Sequence, residues 1–141
     1  MVNRTNYPHS MRTILWILLV VGCRPFSPAI TGKEWVVVAV GDQVAPVGAG
    51  GRYLTMRFDA EGARVSGFSG CNQYGASYTL SGDSISFSPA ISTKMACLGG
   101  MEEEARFLST FPAVTRWRLS DSTLILVGDA GVAIRLREGQ N

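Results

Sequence analysis

The sequence predicts an α+β fold: a small antiparallel, β-barrel-like curled sheet of about eight strands with one helix packed against it. Three observations predict it. Short alternating runs of β-branched and aromatic residues recur from residue 35 onward. Gly, Asp and Ser clusters separate them, as in hairpins. One stretch, 100–111, has helical spacing instead.

The first strand is 35–40 (WVVVAV), a β-branched run. The second, 53–59 (YLTMRFD), alternates and puts Leu54, Met56 and Phe58 on one face. The turn Asp59-Ala60-Glu61-Gly62 leads into a third strand, 64–68. Strands 77–80 and 84–87 flank Ser81-Gly82-Asp83, with Tyr78 and Leu80 opposite Ile85 and Phe87. A closing meander, 114–119, 123–127 and 132–136, turns at Ser120-Asp121-Ser122 and at Gly128-Asp129-Ala130-Gly131. In the helix, Met101, Ala105 and Leu108 recur at i, i+4 and i+7, and Phe107 and Phe111 widen the stripe. Glu102, Glu103 and Glu104 fall in its first turn, where carboxylates offset the positive end of the helix dipole. That reading makes them a solvated helix start, favoured over a binding patch, and Pro112 the stop.

Ahead of this domain, 11–23 reads MRTILWILLVVGC. Arg12 supplies a positive start, and 14–21 is apolar, too short to span a bilayer and long enough for a signal segment. Val20-Val21-Gly22-Cys23 resembles a bacterial lipobox, with Cys23 the lipidated residue. The thiol is the nucleophile that takes the lipid, and small residues before it admit the signal peptidase. Acyl chains together anchor stably where one alone would be marginal. The alternatives are a plain secretory signal with a chance cysteine, or a buried N-terminal helix. The division expected is 1–22 leader, with Met11 a second candidate start; 23–32 lipidated cysteine and tether; 33–137 domain; and 138–141 tail. The expected place is the cell envelope. Arg24, where an aspartate would favour inner-membrane retention, points to the outer membrane facing the periplasm.

Thirteen basic residues stand against eleven acidic. Without Arg4 and Arg12 of the leader the balance is eleven to eleven, so the mature chain is formally neutral. Nucleic acid is therefore a poor partner. The single histidine, His9, lies in the leader. This excludes a Ser-His-Asp triad and a Cys-His pair from the domain, and removes the commonest transition-metal ligand. No cofactor and no metal are expected. The carboxylates that glycoside chemistry would need, Asp59, Glu61, Asp83 and Asp121, sit in turn contexts where they cap backbone. The chain reads as a non-enzyme.

Once Cys23 is lipidated, Cys71 and Cys97 remain. A disulfide between them is favoured in an exported domain. Two buried free thiols and a two-thiolate soft-metal site helped by Met95 are the alternatives. Gly67 and Gly70 permit close backbone approach. Asn72 can bond turn backbone groups or take a left-handed conformation. Tyr74 and Tyr78 offer an apolar body with a polar tip. Met95 reads as core filler. For Asn72, Tyr74, Tyr78, Thr93 and Met95 a structural role is favoured over ligand contact; buried aromatics would mark a scaffold and exposed ones a binding site.

Gly70-Cys71-Asn72, Tyr78, Thr93-Lys94-Met95-Ala96-Cys97, then Glu103 and Phe107-Leu108, resemble the META domain family, with Trp35 and 124–126 also fitting. The likeness covers about 31–137. One departure is Ala76, preceded by Gly75, where members often have Gly two residues before the motif tyrosine; the turn after Asn72 is expected to differ. The resemblance implies a compact α+β fold of barrel character, an envelope location and no catalytic activity. It links the chain loosely to heat shock, antibiotic tolerance and, in some parasites, secretion or virulence. Together these expectations describe a membrane-anchored envelope-stress protein that acts by binding an envelope protein or small ligand. The alternative is a periplasmic binding or inhibitor module for a lytic enzyme or small apolar ligand.

Overall fold

A computed structural model describes residues 29–44 and 46–140. The leader, Cys23 and most of the expected tether lie outside the described residues.

Ten strands form in chain order: β1 (Glu34–Val40), β2 (Gln43–Val44), β3 (Thr55–Asp59), β4 (Arg64–Phe68), β5 (Gln73–Ser81), β6 (Ser84–Phe87), β7 (Ile91–Ser92), β8 (Val114–Ser120), β9 (Thr123–Gly128) and β10 (Gly131–Glu138). Eight close a ring in the order β1, β3, β4, β5, β6, β8, β9, β10, because β10 pairs back onto β1. Every pairing between these strands is antiparallel. Closure removes the edges an open sheet would leave unpaired. The two short strands lie off the ring: β2 pairs with the end of β1, and β7 with the start of β5.

Alternation fills the barrel. Trp35 and Val37 of β1, Met56 and Phe58 of β3, Leu124 and Leu126 of β9, and Ile134 and Leu136 of β10 are fully buried. An eight-stranded barrel is just wide enough for such side chains to pack it solid. The helix α1 (Met101–Ser109) and a following 3-10 turn (Phe111–Ala113) stop one end. Phe107 and Phe111 point in and meet Tyr74 edge-on, with centroids at 5.5 and 5.6 Å.

The barrel's two ends differ. At one lie the turns 59–64, 81–84 and 120–123, the start of β1 and the end of β10. At the other lie the connections 40–55, 68–73, 87–114 and 128–131. The chain enters at the first end, where the Trp35 indole N–H donates to the Ile30 carbonyl at 2.8 Å.

Four details correct the sequence reading. Ile30 is fully buried and Thr31 bridges to Phe58, so the folded unit begins before Lys33. Glu138 still pairs with Trp35, and the Gly139 amide donates to the Glu34 carbonyl at 2.8 Å, so the expected tail is partly strand. No turn follows Asn72: β5 starts at Gln73, with Gly75 and Ala76 inside it. In the helix, Met101 and Ala105 are exposed, and the inward face is Phe107, Leu108 and Phe111.

Candidate functional site

The cysteine motif lies at the helix-stopped end, where the chain leaves β4 and must reverse into β5. The reversal Ser69-Gly70-Cys71-Asn72 is closed by the Ser69 amide, which donates to the Asn72 carbonyl at 2.9 Å. Among the described residues Ser69 and Asn72 are the buried polar ones, so each polar atom needs a partner. Asn72 finds all of them. Its Oδ1 accepts from the Thr93 hydroxyl at 3.0 Å and from the Met95 amide at 2.8 Å. Its Nδ2 donates to Glu104 Oε1 at 3.0 Å and to the Met95 carbonyl at 3.4 Å. One side chain thus ties the reversal to the distant loop 88–100 and to the helix.

Glu104 completes the knot. Its Oε2 accepts from Ser69 Oγ at 2.5 Å, the Asn72 amide at 2.7 Å and the Cys71 amide at 3.3 Å. Partial burial pushes its pKa up, but the donors Ser69, Asn72 and Cys71 outweigh this and hold the carboxyl below its ordinary value. A carboxylate kept ionised by four donors is a poor proton donor near neutral pH; its role here is to fasten. The expectation that 102–104 is simply a solvated helix start therefore fails at Glu104. The sequence held a signal for this. Glu104, Phe107, Leu108 and Phe111 fall at i, i+3, i+4 and i+7, one face of a helix.

Cys71 and Cys97 form a disulfide across 26 residues, with Cα atoms 5.8 Å apart. This removes the free-thiol and two-thiolate metal alternatives. Among the described residues, no group of three or more His, Cys, Asp or Glu is placed to hold a metal. Backbones also touch here. A Cβ on Gly100, whose φ is +82°, would fall 2.2 Å from the Gly70 carbonyl oxygen, and one on Gly48 would fall 2.1 Å from it. The Ala49 amide donates to that same oxygen at 2.7 Å. Gly67 meets β3 equally closely.

The expected site residues divide. Tyr74 is buried and its hydroxyl donates to the Thr55 carbonyl at 3.0 Å; burial raises its pKa well above the ordinary value. Tyr78 is buried and donates to the Asp59 carbonyl at 3.1 Å, toward the opposite end; burial and then the Asp59 charge raise its pKa. The two tyrosines are scaffold by the criterion set above. Asn72, Thr93 and Met95 come together, but Met95 does so through its backbone. Its side chain is 59% exposed, which corrects its reading as core filler. Asn72 bonds turn groups and does not take the left-handed conformation. Ser69, Thr55 and Gly48 belong to the assembly and carried no signal readable from spacing alone.

Around this knot, Val44, Val47, Tyr53, Met95, Leu98 and Met101 are exposed. Arg52 stacks on the Phe68 ring at 3.9 Å from its centroid. The loops 46–53 and 95–101 both reach Gly70, through Gly48, Ala49 and Gly100, so these exposed side chains rim the same end of the barrel.

The chain is similar to known proteins across its whole folded part. A solved NMR structure of a protein from Burkholderia xenovorans is 27% identical, with a TM-score of 0.66; the match covers 86% of this chain and 94% of that one. A second NMR structure, 19% identical with a TM-score of 0.59, covers 77% and 90% and shows the shared fold. No curated protein matches. The family model of the META domain matches residues 28–140, and the chain belongs to the META domain family.

Proposed function

We propose that this META protein is an exported, lipid-anchored envelope protein. It works without catalysis, by binding, in envelope stress or antibiotic tolerance. The anchor is Cys23, and the expected site is the outer membrane facing the periplasm. The observation that carries the reading is the rim: the chain enters the barrel at one end, and exposed apolar side chains stand on the loops of the other. An apolar cluster rimmed by polar residues marks a contact surface. The Cys71–Cys97 disulfide supports an oxidising compartment. The interior supports an outside contact, because the core side chains occupy it. The polar knot then serves to hold the rim loops in place.

The test is genetic. The gene is deleted, and growth is measured under heat and membrane-active antibiotics, with complementation by wild type, Cys23→Ala and Leu98→Ser/Met101→Ser. Sensitivity rescued by wild type alone supports anchored binding through the rim. Rescue by the rim variant removes the rim from the function, and an absence of phenotype under every stress sinks the stress role. One observation favours a second reading. Leu98 is 101% exposed immediately after the disulfide-bonded Cys97, so an apolar side chain projects from a pinned stretch of chain that could enter a lytic enzyme's cleft. Inhibition of a cell-wall lytic enzyme by the purified domain, lost in Leu98→Ser, would select it.

A further inference from the structure

The domain is formally neutral, yet its charges are sorted by wall. On the outer face of β8, β9 and β10 stand Arg116, Arg118, Arg135 and Arg137, all exposed. Register brings them together. Arg118 and Arg135 flank Ile125 from either side, Arg116 sits beside Val127, and Arg137 beside Thr123 and Val36. Neighbouring strands lie about 4.8 Å apart and alternate residues about 6.8 Å apart, so the four arginine backbones fall within a patch of roughly 10 by 14 Å. Among the described residues none of the four makes an ion pair; the pairs are Lys33–Glu138 and Arg106–Glu102. Asp83 borders a hollow with Arg116 and Arg118. The other acidic residues near this wall lie at strand ends or in turns: Glu34, Asp121, Asp129 and Glu138. The neighbouring wall of β5 and β6 has the opposite character, presenting the hydroxyls of Ser77, Thr79 and Ser86.

Arginine guanidiniums interspersed with half-buried Ile125 and Val127 suit a plane of phosphate groups. Building on the anchored reading above, we propose that the β8–β10 wall rests on anionic lipid headgroups, so that the barrel lies on its side against the membrane. Chain length fits this. Six residues lie between Cys23 and Ile30, and the seven steps reach at most about 25 Å. The chain enters at the end that carries Arg137, so a short anchor holds this wall close to the bilayer. The apolar rim then points along the surface, away from the anchor, and stays open to a partner.

The test needs no anchor. Residues 24–141 can be used alone, because the core lies within 30–136 and the similar Burkholderia xenovorans protein, matched over 94% of its length, is itself solved in solution. Flotation is measured with vesicles of phosphatidylcholine, with and without one-third phosphatidylglycerol (circular dichroism confirms the fold of every variant). Binding is expected only to the anionic vesicles and is lost in about 0.5 M salt. At about fivefold per arginine near an anionic surface, Arg118→Gln/Arg135→Gln lowers partitioning roughly thirtyfold. Arg57→Gln/Arg64→Gln, on β3 and β4, leaves it within about threefold. Equal loss from both pairs overturns the wall assignment. Absence of anionic binding overturns the proposal and leaves the rim untouched. Displacement of the vesicles by millimolar inorganic phosphate overturns the lipid surface in favour of a free phosphate ligand.

Discussion

Replacing Glu104 with alanine tests whether the polar knot or the helix dipole explains this side chain. The substitution removes the acceptor from four donors: Ser69 Oγ, Asn72 Nδ2 and the amides of Cys71 and Asn72. Two of these have fallbacks. Ser69 Oγ also reaches the Asn72 carbonyl at 2.8 Å, and Asn72 Nδ2 also reaches the Met95 carbonyl at 3.4 Å. The two amides have none, and both residues are buried. A buried donor left unpaired costs about 1–3 kcal/mol. The Asn72 amide bond is short at 2.7 Å and the Cys71 bond weak at 3.3 Å, so the loss should be about 3 kcal/mol. In a domain of this size that lowers Tm by about 12 °C. The assay is urea and thermal unfolding of the oxidised domain, with Glu102→Ala and Glu103→Ala as neighbours that should each change stability by less than about 0.5 kcal/mol. The sign with pH follows from the lowered pKa. Above the ordinary value of about 4.3 the carboxylate is ionised in both folded and unfolded chains, and its contribution is complete. As pH falls through the lower folded value that contribution disappears. The gap between wild type and Glu104→Gln is therefore present at pH 7 and closes below about pH 4. If Glu104→Ala costs no more than Glu103→Ala, the knot does not hold the reversal and the reasoning is refuted.

Further outcomes are expected for the disulfide, Gly100 and Tyr74. Intact mass under non-reducing conditions should reveal no alkylatable thiol at Cys71 or Cys97. Cys71→Ala/Cys97→Ala should lose about 3.5 kcal/mol in urea unfolding, the loop-closure entropy of 26 residues. Gly100→Ala should destabilise by about 3 kcal/mol in thermal unfolding, since its φ is positive and the new Cβ would meet the Gly70 carbonyl. Tyr74→Phe should cost about 1 kcal/mol through loss of the bond to Thr55, and ultraviolet titration of the folded wild type should find the Tyr74 phenol ionising above ordinary tyrosines.

The barrel was legible in the sequence. Its strands read correctly because alternation is local: Leu54, Met56 and Phe58 share a face in any strand that contains them, and all three are buried. The helix was legible for the same reason, as were the hairpin turns and the membership that the cysteine motif implied. The tertiary structure alone decided which helical face turns inward. Met101 looks as apolar as Phe107, but only the barrel mouth chooses between them, and it chose the face that begins with Glu104. Two short strands escaped notice because two residues carry no period. Met95 was misplaced because its backbone serves the knot, and backbone service leaves no mark on side-chain type. The arginine wall is the same kind of fact: 116, 118, 135 and 137 are scattered in sequence, and only the register of three strands sets them side by side.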